Sequence, residues 1–357
     1  MTSMKDIARE CGVSVATVSK ALNNHSDIST ETRNRIQEVA KALNYFPNSS
    51  ARALKTKRSY NIGVLYLDAE NNGLKHERFA HLLDAFKVEA ELRGYDITFI
   101  GNSNQMTFYE HSRYRGVDGL LIACIDFYMP EVLELVKSNI PVITIDHSFD
   151  NCLSVISDNA QGMKILTEYA VSRGHKKIAY VYGTNSRDGE MIHKEHGSLA
   201  DLLGESSVTK NRVMGFCKAM EECGLEVPEK YLKPIHYRSP KEAEERTREL
   251  LSLVDRPTCI FYSDDMAAAG GIKAIRDKGL QVGKDISIAG YDGSEISKVL
   301  TPTLTTIDQD DATTGRIAAE RLIQAIEAPQ RALPERVIVP PVLLKGESIK
   351  NINVSSY

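Results

Sequence analysis

Two groups of residues in this 357-residue chain are of types suited to meeting a partner rather than only to packing. The first is Val15, Ala16, Thr17 and Lys20, a stretch of helical spacing that follows Ser14. A methyl surface, a hydroxyl and a cation on one face differ from the Glu/Lys pairs of a solvated helix. Methyls there can meet thymine, and Lys20 can reach guanine acceptors in a major groove. Thr17, Ser19, Asn23 and Tyr45 suit phosphate contacts that fix a docking pose. Further on, Arg52, Lys55, Lys57 and Arg58 place four cations and no acid around Leu54. The second group is acidic: Asp68, Asp146, Asp264 and Asp292 stand at or just after the ends of predicted strands. Carboxylates in that place can accept paired hydroxyls of a sugar, and an arginine can clamp ring or carboxylate oxygens. An Asp after a strand also caps the helix that follows, so each has a purely structural reading beside it.

The elements that position the first group are legible locally. Ser3-Met4-Lys5-Asp6 reads as a capping box, and Met4, Ile7, Ala8 and Cys11 form one apolar stripe. Gly12 ends that helix. Ser14 caps a second, Val15 to about Leu22, with Val18, Ala21 and Leu22 inward. Ser29 caps a third, with Ile36, Val39, Ala40 and Leu43 on its stripe. Three short helices with a tight turn between the first two make a helix-turn-helix, or, more plainly, a generic three-helix bundle. Pro47 closes this element and Asn48 caps about two helical turns that are too short to be stable alone in water. Such a segment can order on contact with DNA and a second copy of itself, with Leu54 as a minor-groove wedge and Arg52 and Lys55 on the backbone or groove floor. A basic linker is the alternative.

Charge separates the two parts. Residues 1–58 hold ten Lys/Arg against five Asp/Glu, and the remainder 34 against 43, so a head of +5 precedes a body of -9 within a chain of -4. Only the head is expected to meet a polyanion. The longest apolar runs, such as 119–125, are too short to span a bilayer, and residues 1–12 show no apolar signal segment. A cytoplasmic protein without membrane partners is the expectation. The six cysteines are scattered without a Cys-x-x-Cys pair, which points to reduced thiols rather than disulfides or zinc, and no cofactor or metal is expected.

The body alternates strands and helices: apolar strands at 61–67, 96–100, 119–125 and 142–145 and a helix at 78–93, then strands at 177–182, 258–262 and 286–291 with helices at 212–223 and 266–277. That order calls for parallel sheets with helices on both faces, and ligands bind such sheets at the carboxyl ends of the strands. Phe86, Glu91 and Gly94 recur as Phe216, Glu221 and Gly224 at a constant offset, an echo of two similarly built lobes.

Lys5-Asp6-Ile7-Ala8, Gly12 to Ser19, Ser29-x-x-Thr32-Arg33, Leu43-Asn44-Tyr45-x-Pro47-Asn48 and Ala51-Arg52-x-Leu54 resemble the head and hinge of the lactose/galactose repressor (LacI/GalR-type) family, and the resemblance continues to Glu347-Ser348. It implies an all-α helix-turn-helix head and an α/β, two-lobed, periplasmic-binding-protein-like body with parallel sheets. It implies a homodimer on a near-palindromic operator in double-stranded DNA, with Val15, Ala16 and Lys20 reading bases and Leu54 of both subunits intercalating. It also implies a small effector, a sugar by expectation, bound by Arg212 and Asp292, with Ser263 where other members carry Asn, and with Asp146 and His147 after their strand. Asp68 is a further candidate, as are Tyr66 and Tyr182 as stacking rings. The boundaries expected are 1–46 for the DNA-binding domain, 47–59 for hinge helix and linker, and 60–346 for the effector-binding and dimerisation domain, leaving 347–357 as a tail. Within the body, lobe 1 takes 60–157 and 309–335, and lobe 2 takes 158–308 and 336–346.

Two departures stand out. The polar stretch 184–206, with His193 and His196, is longer than the family's usual loop there, and the C-terminus lacks the leucine heptads of a tetramerising coiled coil. Three other readings bear on the same residues: a regulator using a protein corepressor, a sugar-binding module without DNA function, and an enzyme fused to a helix-turn-helix. The sequence contains no Gly-x-Gly-x-x-Gly, Walker-type loop, Gly-x-Ser-x-Gly or His-Glu-x-x-His to favour the last.

Overall fold

Local capping starts the head. In a computed structural model describing residues 2–22, 27–45, 53, 56, 58–66, 77–101, 107–123, 130–149, 152–184, 208–236, 238–329 and 335–353, the chain divides into two units, Met1–Ser59 and Tyr60–Tyr357. In the first unit α1 (Met4–Cys11) opens with the Asp6 carboxylate accepting the Ser3 N–H and hydroxyl, and closes on Gly12 in the left-handed conformation at φ 63°. The Ser14 hydroxyl accepts the Thr17 N–H at 3.0 Å at the start of α2 (Val15–Leu22), and Ser29 does the same for Thr32 at 3.2 Å in α3 (Thr30–Ala42). Ile7, Val18, Ala21 and Ile36 are fully buried where the three helices meet. Helices this short do not persist in water, so the burial of each large apolar side chain, about 1.5–3 kcal/mol, holds the head together.

The second unit has two lobes. Lobe 1 is built on β1 (Asn61–Tyr66), β2 (Asp96–Phe99), β3 (Gly119–Ala123), β4 (Val142–Ile145), β5 (Leu153–Ser157) and the late strand β11 (Arg336–Val339). These form one parallel sheet in the order β11-β5-β4-β3-β1-β2. Helices α4 (Glu77–Leu92), α5 (Phe108–Arg115) and α6 (Pro130–Val136) belong to this lobe. Lobe 2 is a second parallel sheet, β7-β6-β8-β9, from β6 (Ile178–Thr184), β7 (Leu232–His236), β8 (Cys259–Tyr262) and β9 (Ser287–Ala289). It carries α7 (Asn159–Ser172), α8 (Val208–Glu222), α9 (Pro240–Leu251), α10 (Asp265–Asp277) and the short α11 (Glu295–Val299). The sequence echo has a physical basis: Phe86 and Phe216 are fully buried in the two cores, and Gly94 and Gly224 turn the chain after their helices at φ 79° and 70°.

Three crossings join the lobes. The chain passes from β5 to α7 around Asp158, from β10 (Thr306–Asp308) to α12 (Asp311–Glu327), and from β11 to β12 (Val342–Leu344), which pairs antiparallel with β10. Helix α12 returns to lobe 1 and lies so close to α4 that a Cβ on Gly315 would stand 2.1 Å from the Leu82 carbonyl oxygen.

Two expected boundaries are corrected. Arg336–Val339, expected in lobe 2, is the edge strand of lobe 1, paired in parallel with Ser154–Ser157, so the crossing follows Val339. Residues 347–353, expected as tail, lace lobe 2 together. The Ser348 hydroxyl donates to the Ile288 carbonyl at 2.7 Å and accepts the Thr305 N–H at 2.8 Å, and Ile349 is buried in the core. Among the described residues no helix is long and apolar enough to cross a membrane, and the five cysteines described are free thiols.

Candidate nucleic-acid interface and ligand cleft

Capping and core packing of the head decide which face of α2 is left outside. With Val18 and Ala21 in the core, Val15, Ala16 and Lys20 are exposed, and Thr17 and Ser19 are half-buried beside them. The Thr17 and Ser14 hydroxyls lie 2.8 Å apart, which fixes the first turn. Lys20 Nζ lies 2.5 Å from Asp27 Oδ2, with both side chains about half exposed. Such an exposed pair contributes about 0–1 kcal/mol, so Asp27 holds the ammonium only weakly. Tyr45 packs against the edge of the head core. Asn23, Arg52, Leu54 and Lys55 lie outside the described residues.

In the body, a cavity of about 540 Å³ opens between the lobes. The first turns of α4 wall it on one side, Arg238 and the segment from Asp292 to Lys298 on the other, and Asp308 to Ala312 run along it. On the lobe 2 wall, Asp292 is held at φ 103° and is almost wholly buried. Its Oδ1 accepts Gln309 Nε2 at 2.7 Å, its Oδ2 accepts Arg238 Nη1 at 3.3 Å, and Arg212 Nη2 stands 3.7 Å away. Arg212 is itself fixed, donating to Asn159 Oδ1 at 2.7 Å and to the Ser263 carbonyl at 2.8 Å. Its guanidinium lies 3.7 Å from the Tyr291 ring centroid, a cation–π contact.

The lobe 1 wall repeats the chemistry with different residues. Arg78, from the first turn of α4, forks onto both oxygens of Asp146, the longer arm at 2.9 Å. Its Nε lies 2.9 Å from Asp311 Oδ1 but off the N–H axis, so that neither atom completes a hydrogen bond. Burial pushes on Asp146, yet the Arg78 charge and fork hold its carboxyl below the usual range. Asp311 lacks that fork, and burial lifts it to about 7 despite Arg78. Asp265, behind the lobe 2 wall, is also raised to about 7, by burial and then by the Asp292 charge, against hydrogen bonds from Thr306 and Ser294. Both walls thus present guanidinium–carboxylate pairs, which offer donors and acceptors side by side, in a lining that is acidic as a whole, seven Asp/Glu against three Lys/Arg. That suits a ligand bearing several hydroxyls. Among the described residues no cluster of His, Cys, Asp or Glu is arranged to hold a metal ion.

Residues 3–48 match the model of the bacterial regulatory proteins, lacI family, and residues 167–349 that of the periplasmic binding protein-like domain. Over 360 residues the chain is 31% identical to the HTH-type transcriptional repressor PurR of Mannheimia succiniciproducens, covering 99% of this chain and 100% of the relative. The chain belongs to the LacI family. A PurR of Escherichia coli O139:H28 is 29% identical over 358 residues, covering 98% of this chain and 97% of its own. Among solved structures, the lac repressor dimer bound to operator and the anti-inducer ONPF is similar at a TM-score of 0.72 and 26% identity, over 98% of this chain and 99% of that one. A complex of the transcriptional regulator CelR with cellobiose shares the fold at a TM-score of 0.67 and 21% identity, over 98% of this chain and 100% of that one. This LacI-family protein is a DNA-binding transcriptional regulator with a helix-turn-helix head and a periplasmic-binding-like body.

Of the effector candidates read from the sequence, Asp292 lines the cavity of this LacI-family body, with Arg212 directly behind it. Asp146 stands behind Arg78 on the opposite wall. The structure does not bring Ser263 or His147 to the cavity wall. The Ser263 hydroxyl donates to Asp264 at 2.8 Å while its carbonyl holds Arg212, and the His147 carbonyl accepts the Thr144 hydroxyl at 2.7 Å. Asp264 caps α10 through the Ala267 N–H at 2.9 Å. Tyr182 is buried in the lobe 2 core, and Tyr66 stacks on Phe79 at 3.8 Å. Asp68, the 184–206 stretch beyond Thr184, and the histidines at 193 and 196 lie outside the described residues. Sequence reasoning missed Arg78, Asn159, Arg238, Gln309 and Asp311. For Arg78 a signal existed: it stands four residues before Leu82 and eight before Phe86, on the buried stripe of α4. A charge on a buried stripe requires a partner.

Proposed function

We propose that this protein is a cytoplasmic, homodimeric repressor whose affinity for a near-palindromic operator is set by a small polyhydroxylated effector, a sugar, bound between the lobes of its body. The observation that carries the reading is the cavity between lobes, lined by Arg78 on one side and by Arg238 and Asp292 on the other, with Asp146 and Arg212 paired to them from behind. Paired charges there supply donors to hydroxyl oxygens and acceptors to hydroxyl protons, which is how a neutral polyol is recognised. The lac repressor structure bound to operator and the anti-inducer ONPF supports control of operator binding by a small ligand.

In this reading Val15, Ala16 and Lys20 contact base edges, and Thr17, Ser19, Asn23 and Tyr45 contact phosphates. Leu54 of each subunit wedges into the minor groove, with Arg52 and Lys55 beside it. Ligand binding changes the angle between lobes, and that angle governs whether two Leu54 side chains can meet in one groove. A thermal-shift screen of neutral sugars, repeated with Asp292→Asn, tests the site. Sugars that stabilise the wild type and not the variant support it, and a shift of equal size in both places the ligand elsewhere.

A further inference from the structure

Helix α11 begins at Glu295, and Ser294, in the capping position, provides no side-chain cap. Its hydroxyl and its N–H both donate to Asp265 Oδ2, at 2.8 Å each. The first amides of a helix have no partner within the helix, and here the Glu295 N–H is satisfied from the opposite lobe. Glu77, the first residue of α4, accepts it through Oε1 at 2.7 Å. Two side chains flank this contact. His81 Nε2 lies 3.9 Å from the same Glu77 oxygen, and the Glu295 carboxylate is occupied by Lys298 Nζ at 2.5 Å. The Glu77 carboxylate thus has an imidazole beside it, and the Glu295 carboxylate an ammonium.

The two ends of this bond are anchored in different bodies. Phe79, Leu82 and Phe86 set α4 into the lobe 1 core. The tie from Ser294 to Asp265 sets the start of α11 onto lobe 2. Glu77 and Glu295 both line the cavity, so the bond spans its mouth. Separation of the lobes by more than a hydrogen-bond length breaks it.

We propose that Glu77 is a clasp: a helix cap supplied by one lobe to the other, which holds the lobes together across the cleft and must be released before the cleft opens. An ionised acceptor on a backbone N–H is among the stronger hydrogen bonds, and its loss should favour opening about tenfold.

The test is hydrogen exchange by mass spectrometry on the full-length, ligand-free protein. Glu77→Ala should speed exchange about tenfold in the segments 294–300 and 308–314, which face the same cavity, while Glu77→Gln, which keeps a neutral acceptor, should do so less. Glu295→Pro removes the donor instead of the acceptor. Proline is tolerated at the first helical position, and Ser294 already has the extended backbone (φ -67°, ψ 162°) required before it. This variant should reproduce the faster exchange in 308–314, and combining it with Glu77→Ala should add nothing. Should Glu77→Ala not fold, Glu295→Pro carries the test alone. Wild-type exchange at 308–314 in these variants, or a rise confined to α4, overturns the clasp.

Discussion

Replacing Arg78 with Met removes a cation from between two buried carboxylates while leaving most of the side chain's volume. The side chains of Arg78, Asp146 and Asp311 are 7%, 8% and 11% exposed, so water cannot stand in for the lost guanidinium. Breaking a buried pair by deleting one partner costs roughly 3–5 kcal/mol, because the remaining charge must stay buried or take up a proton. At about 2 °C per kcal/mol for a body of this size, the melting temperature at pH 7.5 should fall by about 6–10 °C. The sign with pH is diagnostic. In the wild type Arg78 holds the Asp146 carboxyl low, whereas without it burial is the largest influence on both acids and raises them above their unfolded values. The cost is then borne by the ionised forms and grows as pH rises above the unfolded pKa near 4, so the deficit of Arg78→Met should shrink toward pH 5. Adding Asp146→Asn and Asp311→Asn removes the orphaned charges and should recover most of the loss. Paired urea titrations at pH 7.5 and 5.5 read all of this. A deficit below about 1 kcal/mol, or one equal at both pH values, refutes the buried-triad argument.

Lys20→Ala should relax operator specificity at one base position by about 1–3 kcal/mol while leaving the melting temperature unchanged, since its ion pair with Asp27 is exposed; competition binding against single-base variants of a selected duplex checks it. Leu54→Ala should weaken specific but not non-specific duplex binding, with ligand affinity of the free protein retained, as anisotropy titrations on the two duplexes would show. His175 is held neutral at about 4 by burial, with Nδ1 2.9 Å from the Thr258 hydroxyl and Nε2 3.2 Å from the Lys350 carbonyl. Because its folded value lies below the unfolded one, its contribution is present above pH 6.5 and is lost toward pH 4 by about 1.4 kcal/mol per pH unit, a slope that His175→Gln should remove from the denaturation curves.

The elements most legible in the sequence are those specified by neighbours a few residues apart. Ser14, Ser29 and Gly12 mark the head helices because capping is local chemistry. Strands β1, β3 and β4 read as unbroken apolar runs because helices cover both faces of a parallel sheet. The sheet that Arg336–Val339 joins was not legible. Its partner, Ser154–Ser157, is remote in the chain, and the apolar runs on either side of Pro340-Pro341 look alike. In the cleft, strand ends located Asp146 and Asp292 but not what each binds. Arg238 itself sits in a turn at φ 60°, and Gln309 lies between two acids in a connection, so neither has a periodicity to betray its direction.

Regulation of this kind requires a coupling between the head and the cleft. The measurement that meets it most directly is the affinity of the full-length protein for a duplex selected from a random library, taken with and without a saturating cleft ligand found by thermal shift. Linkage predicts a change of roughly 5–150-fold, with the ligand's own affinity altered by the same factor when the duplex is present. Equal duplex affinity at ligand saturation would show that the cavity between Arg78 and Asp292 does not control the DNA-reading head.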